Sequence, residues 1–148
     1  MGGRKKRSVV GVLVSWAIGL VIFLVLLGVL NILTGSYVQA PIFVRIVGFL
    51  NANLGLLILI SVVFLIGDLF GTLIFPLNLP GPIFGAVGAV FLVMFLLRLI
   101  LLVGEITGIG LFAQFGRTFA VPIYLIVFIL TLIGGYIALF ADPPPDWA

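Results

Sequence analysis

The sequence predicts an all-α, polytopic transmembrane bundle of four helices that forms a single domain over residues 1–148. The first observation is composition: 64% of the residues are hydrophobic and 7% are charged, whereas about a quarter of an average soluble domain is charged. The second is that the chain contains four apolar stretches long enough to cross a bilayer, which needs about 20 residues. The third is that prolines and glycines separate these stretches. Lipid tails can cover the outward-facing apolar side chains that a chain of this length could not bury.

The first helix is predicted at about residues 8–33, directly after the basic residues Arg4, Lys5, Lys6 and Arg7. Positive charge beside a membrane helix marks the cytoplasmic side and attracts anionic lipid. Residues 1–7 are therefore predicted to be a cytoplasmic N-terminus in contact with anionic lipid. Since the apolar run follows at once, we expect no nucleic-acid partner.

The second apolar stretch allows two interpretations. One is a continuous helix over about residues 42–66, beginning after Pro41. The other is an interfacial helix over 42–50 followed by a span over about 54–75. Asn51 and Asn53 fit either, because they can face partner helices within a span or mark a break. The continuous helix is preferred because of the repeat described below.

The third helix is predicted at about 83–103 and the fourth at about 120–140, with Pro82 and Pro122 near their starts. Proline is favoured in the first turn, where its missing N–H would be unpaired anyway. The stretch 104–119 between them is either an amphipathic interfacial helix or, given its four glycines, an irregular loop. Four spans place both ends on one side, so the proline-rich tail over 141–148 is also predicted to be cytoplasmic.

Two sequence patterns recur along the chain. A Pro-Ile-aromatic triplet occupies residues 41–43, 82–84 and 122–124. A seven-residue pattern occupies both 65–71 and 102–108. It consists of two aliphatic residues, a glycine, an acid, an aliphatic residue, any residue and a second glycine. We interpret the patterns as a repeated single-helix unit that begins at proline and ends near the first glycine, at Gly67 and Gly104. Coincidence in a strongly apolar sequence is the alternative.

Charged residues near the spans are the candidates for chemistry, because charge in a bilayer is costly and often functional. We expect a cluster at the outer side that binds an anion or a lipid headgroup, formed by Arg45, Arg98, Glu105 and Arg117. Interfacial anchoring with one ordinary ion pair is the alternative for these four. Asp68 is a candidate ion or proton site, or else is hydrated at the inner surface or paired with another subunit.

Small residues recur at a spacing of four on several predicted helices, which allows close approach of helix backbones in lipid. These stripes are predicted to pack helices within the chain or against other subunits. Their members are Gly11, Ser15, Gly19, Gly67, Gly71, Gly81, Gly85, Ala89, Gly104, Gly108, Gly134 and Ala138.

The absence of cysteine and histidine excludes disulfides and the usual metal ligands of zinc and haem sites. We therefore predict no metal, no cofactor and no enzymatic activity. The sequence favours a structural or accessory subunit of a larger membrane complex or a homo-oligomer. The alternative is a small homo-oligomeric channel or transporter that uses Asp68 or the outer arginines. In either case we expect a multi-pass protein of the cell membrane.

Overall fold

The computed structural model describes residues 8–141, and these residues form five helices and no strand. The helices are α1 (Val9–Ser36), α2 (Pro41–Ala52), α3 (Leu54–Gly71), α4 (Gly81–Thr107) and α5 (Gly110–Ala141). Helices α1, α3, α4 and α5 are long and apolar enough to cross a membrane. The all-α fold with four candidate spans is thus confirmed. The basic residues before Ser8 and the proline-rich residues 142–148 lie outside the described part.

Helix α1 begins one residue after Ser8, whose side-chain Oγ accepts a hydrogen bond from the Gly11 N–H at 3.0 Å. This satisfies one of the free N–H groups of the first turn. The helix ends at Ser36, about one turn beyond the predicted end at 33, with the Tyr37 N–H bonded to the Leu33 carbonyl.

The predicted continuous helix over 42–66 is wrong, because the helix is divided at Asn53 into α2 and α3. Asn53 has a φ of −103° and a ψ of 11°, outside regular helical geometry, and its side-chain Nδ2 donates to the Phe49 carbonyl at 2.9 Å. Such local bonding of asparagine competes with the regular helical pattern. The alternative with a separate first helix and a span from 54 is closer to the structure. The 18 residues of α3 rise about 27 Å, close to the thickness of a bilayer core.

Helix α4 extends four residues beyond the predicted end at 103. It ends where Gly108 adopts a left-handed conformation with a φ of 74°. Glycine takes this conformation without the penalty that a Cβ atom would bring. Pro82 lies at the second residue of α4, so its predicted place in a first turn is confirmed.

Helix α5 begins at Gly110, about ten residues before the predicted start at 120, and Pro122 lies inside it. Proline removes one helical hydrogen bond, but interior prolines are tolerated in membrane helices. The stretch 104–119 is accordingly helical except at Gly108 and Ile109, where α4 ends and α5 begins. Its interpretation as a loop is wrong.

The four long helices pack as a row. Helix α4 contacts α3 on one side and α5 along much of its length on the other, while α1 contacts α3 and the short α2. Helix α4 contributes five buried residues, and α1 contributes two, Val12 and Leu27. The best-packed part of the molecule is therefore the α3–α4–α5 layer, with α1 at its edge.

Candidate functional site

The backbones of two helices approach each other where α3 meets the start of α4. A Cβ atom added at Gly67 would lie 3.4 Å from the Gly81 carbonyl oxygen and 3.5 Å from the Gly85 nitrogen. A Cβ atom added at Gly81 would lie 3.4 Å from the Gly67 carbonyl oxygen. The structure thus brings together three of the predicted packing glycines. Because the neighbouring atoms are mostly backbone, an added Cβ would already be in van der Waals contact, and a larger side chain would meet atoms that cannot easily move.

A similar contact forms where α4 meets α5. A Cβ atom added at Gly104 would lie 3.0 Å from the Phe112 Cβ and 3.2 Å from the Ile109 carbonyl oxygen. In both motifs the first glycine packs on the next segment, and the helix ends at or just before the second glycine, Gly71 or Gly108. The predicted helix ends at Gly67 and Gly104 are therefore about one turn too early.

Other predicted packing residues face open space. Around Gly19, Gly71, Gly85, Gly108 and Gly134, an added Cβ would have no neighbour within 4 Å, so Gly85 contributes only its backbone nitrogen to the contact with Gly67. Gly11 would meet only the nearby Ser8 Oγ. Ser15 and Ala138 are exposed, and Ala89 is half-buried.

Two glycines outside the predicted stripes make contacts that sequence reasoning missed. A Cβ atom at Gly135 would lie 2.9 Å from the Pro82 Cβ, and one at Gly88 would lie 2.9 Å from the Phe64 ring. The signal in the sequence was the adjacent pair at residues 134 and 135. The two glycines lie on different faces of α5, and the face of Gly135 is the one that contacts Pro82 within the chain.

Polar side chains meet at the division between α2 and α3. The Asn53 side chain is 6% exposed, and its Oδ1 accepts a hydrogen bond from Arg98 Nη1 on α4 at 2.7 Å. Arg98 Nη2 also lies 4.0 Å from the sulfur of Met94. The buried amide therefore fixes the guanidinium of an exposed arginine, since the same amide is held by the Phe49 carbonyl.

A second polar contact joins α1 to α2. Asn31 Nδ2 donates to Asn51 Oδ1 at 3.0 Å, and Asn51 Nδ2 donates to Asn31 Oδ1 at 2.6 Å. Asn31 also donates to the Leu27 carbonyl at 2.9 Å. Asn31 was missed in the sequence, although an amide within an apolar stretch is a signal for such a contact.

The predicted outer cluster is divided between two contacts. Arg45 and Glu105 form an ion pair at 2.9 Å, with side chains 47% and 65% exposed. Arg98 bonds to Asn53 instead of the glutamate. Arg117 is exposed and forms no hydrogen bond or ion pair with any described residue. In water, an exposed ion pair of this kind contributes about 0–1 kcal/mol.

Asp68 lies apart from the arginines. It is exposed, it makes no hydrogen bond or ion pair within residues 8–141, and it follows the packing residue Gly67. Asn53 and Asp68 are separated by 15 residues, nearly the whole of α3. Asp68 and the contact between Asn53 and Arg98 therefore lie at opposite ends of α3.

An open crevice of about 340 Å³ lies between α1 and α3. Ser15 and Gly19 of α1 line one side, and Leu57 and Ser61 of α3 line the other. The Nε1 of Trp16, which also borders the crevice, is buried without a hydrogen-bond partner among the described residues. Part of the predicted small-residue stripe of α1 thus borders a space that α3 does not fill.

The chain matches no family model, no curated protein and no solved structure.

Proposed function

We propose that the protein is a structural or accessory subunit that packs through its small-residue faces into a larger membrane complex or a homo-oligomer. The observation that supports this most directly is the exposed stripe of α1, formed by Gly11, Ser15 and Gly19. No hydrophobic force drives helices together in lipid, so close approach at small residues becomes an important source of association. A face of this kind suits a partner helix better than it suits lipid alone.

The crevice beside this stripe supports the same proposal. Its α1 side carries the small residues Ser15 and Gly19, and its α3 side carries Leu57 and Ser61. A helix seated there would contact α1 and α3 together and would strengthen an attachment that is weak within the chain. The exposed Gly134 and Ala138 on α5 offer a second small-residue face at the other edge of the row.

The proposal places the protein in the cell membrane with both termini in the cytoplasm, as the basic residues before α1 predict. A small homo-oligomeric channel or transporter is the alternative. It would require a polar path past Asp68 or past Arg98, whose charge has no carboxylate partner among residues 8–141.

The test compares two glycine-to-leucine variants of α1 after gentle purification from the native membrane. Gly19→Leu places a bulky side chain on the stripe, whereas Gly28→Leu places it about two and a half turns away, on the opposite face. Neither added Cβ has a neighbour within 4 Å in the chain, so both variants should fold. We expect Gly19→Leu to lose most of the co-purifying subunit, or to shift a homo-oligomer to monomer, and Gly28→Leu to keep it.

Subunit composition and mass are measured by native mass spectrometry, and thermal melting checks the fold of each variant. A wild-type protein that is monomeric, with no stoichiometric partner, contradicts the proposal, as does equal retention of the partner in both variants. The channel is supported instead if the protein purifies as a homo-oligomer that conducts ions in planar bilayers and if Asp68→Asn abolishes this conductance.

A further inference from the structure

We propose that Arg98 binds the phosphate group of a membrane phospholipid beside the break between α2 and α3. This inference is independent of the accessory role, because the polar contacts of Arg98 are to Asn53 and Met94 and involve no residue of the α1 stripe. It rests on three features of Arg98, namely its fixed orientation, its uncompensated charge and its depth along α4.

The guanidinium of Arg98 is held in place before any ligand arrives. Its Nη1 donates to Asn53 Oδ1 at 2.7 Å, and Asn53 is itself buried and bonded to the Phe49 carbonyl. A guanidinium carries five N–H donors in a rigid fork, and the contacts to Asn53 and Met94 engage two of its nitrogens. The remaining donors are available on an exposed side chain. A planar fork of this kind matches two oxygens of a phosphate.

The charge of Arg98 is not balanced by the described part of the chain. Glu105 is the carboxylate at this end of α4, and it pairs with Arg45. Arg45 and Arg98 against Glu105 give two positive charges and one negative, hence a net charge of +1, which is the charge of Arg98. An unpaired cation near a bilayer core is costly, so an external anion is expected to lower the free energy of this end of the molecule.

The position of Arg98 selects a lipid phosphate as that anion. The 27 residues of α4 rise about 40 Å, which exceeds the hydrocarbon core of about 30 Å. Arg98 lies nine residues before Thr107, about 14 Å from the end of the helix. When α4 is centred in the bilayer, Arg98 lies about 8 Å inside the hydrocarbon boundary. An arginine at this depth draws headgroups and water towards itself by local thinning of the bilayer.

The experiment measures lipid retention by native mass spectrometry of the full-length protein in mild detergent. Phosphatidylglycerol is titrated against the wild type and against Arg98→Gln, Arg98→Lys and Arg117→Gln. The last variant is the matched control, since it removes the same charge from an exposed arginine that has no polar contact in residues 8–141. A parallel titration uses inorganic phosphate, and thermal melting in detergent shows whether each variant is folded.

We expect Arg98→Gln to weaken phosphatidylglycerol binding about tenfold or more, equivalent to about 1.4 kcal/mol. Arg98→Lys keeps the charge but loses the fork, so about a threefold loss is expected, a result that remains informative if Arg98→Gln fails to fold. Arg117→Gln should stay within about twofold of the wild type, because its guanidinium is not fixed by a buried amide.

Four outcomes overturn the proposal. Unchanged binding in both Arg98 variants removes the residue from the site. Equal losses in Arg98→Gln and Arg117→Gln indicate general attraction of anionic lipid. Displacement of the lipid by inorganic phosphate alone indicates a soluble anion. Loss of a co-purifying subunit from Arg98→Gln with lipid binding unchanged assigns the arginine to a carboxylate of that subunit.

Discussion

Helices α4 and α1 are of nearly equal length, 27 and 28 residues, and both contain glycines. The two helices differ in whether these glycines contact other parts of the chain. In α4, Gly81, Gly88 and Gly104 each have atoms of another part of the chain within 3.5 Å of an added Cβ. In α1, an added Cβ at Gly19 or Gly28 has no neighbour within 4 Å. A small residue in a membrane helix therefore indicates a capacity for close packing, and it does not indicate whether the partner lies in the same chain.

The connections of the two helices account for part of this difference. Helix α4 is followed by α5 after only Gly108 and Ile109, which keeps the two helices adjacent. Its start is held by the segment 72–80, where the Tyr136 hydroxyl of α5 donates to the Leu79 carbonyl at 2.9 Å. Polar side-chain contact between α1 and its neighbours is confined, within the described residues, to the amide pair near its C-terminal end.

The largest expected effect on this contrast comes from Gly67→Leu in the α3–α4 contact. The new side chain would meet backbone atoms of Gly81 and Gly85, which cannot move aside as a side chain can. Overpacking of this kind costs about 1–3 kcal/mol and occasionally more, and we expect the upper end of that range. Steric trapping in bicelles measures the free energy of unfolding.

Gly71→Leu is the control for this prediction, because residue 71 lies one turn further along α3 and an added Cβ there has no neighbour within 4 Å. We expect a change below about 1 kcal/mol for the control. Equal destabilisation by the two variants would mean that bulk on α3, rather than its contact with α4, determines the result.

A smaller effect is expected from Gly135→Ala on α5, where the new methyl group would lie 2.9 Å from the Pro82 Cβ. The proline ring is rigid, so α5 has to shift away from α4, at a cost of about 1–2 kcal/mol. Gly134→Ala tests the adjacent position, which faces open space. It should be neutral or stabilising by up to about 1 kcal/mol, since alanine favours a helix over glycine. Thermal melting in one detergent ranks the two variants, and the reverse order would show that α5 is rotated relative to α4.

The number and type of the long helices could be predicted from sequence because lipid requires long, uninterrupted apolar segments. The first and last residues of the helices were harder to predict, because proline occurs both at the start of a helix and inside one. Pro82 begins a helix, whereas Pro122 lies within one. The difference depends on the residues before each proline. Those before Pro122 are helical and pack on α4, where a Cβ atom added at Gly116 would lie 3.7 Å from the Leu101 side chain. That contact is between residues of different helices, so local sequence does not reveal it.

The polar contacts were only partly predictable for the same reason. The one-dimensional pattern placed Arg98 and Glu105 on one face of a helix, two turns apart. It could not show that α2 brings Arg45 to Glu105 and that the α2–α3 break brings Asn53 to Arg98. The break itself depends on Asn53, whose side chain bonds locally to the Phe49 carbonyl. Asparagine is compatible with a continuous span or with a break between two helices. In this chain Asn53 lies at a break, and it also contacts Arg98 of another helix.

The smallest effect concerns the attachment of α1 itself, through the reciprocal amide pair of Asn31 and Asn51. A double-mutant cycle with Asn31→Ala and Asn51→Ala measures their coupling. Hydrogen bonds between membrane helices average about 0.6 kcal/mol and reach about 1.7 kcal/mol, so we expect a coupling energy within that range. The free energy of unfolding is measured for the wild type, both single variants and the double variant.

The comparison position for this cycle is Ser61, whose hydroxyl bonds to the Ile58 carbonyl of its own helix. A cycle of Asn31→Ala with Ser61→Ala should give no coupling beyond about 0.5 kcal/mol, because the two residues share no contact. Coupling near zero for the amide pair would mean that α1 is held to the chain only by apolar contacts such as Leu27. The edge position of α1 would then depend even more on a partner outside the chain, whereas strong coupling would show that its C-terminal end is fixed and only its N-terminal stripe is free to receive one.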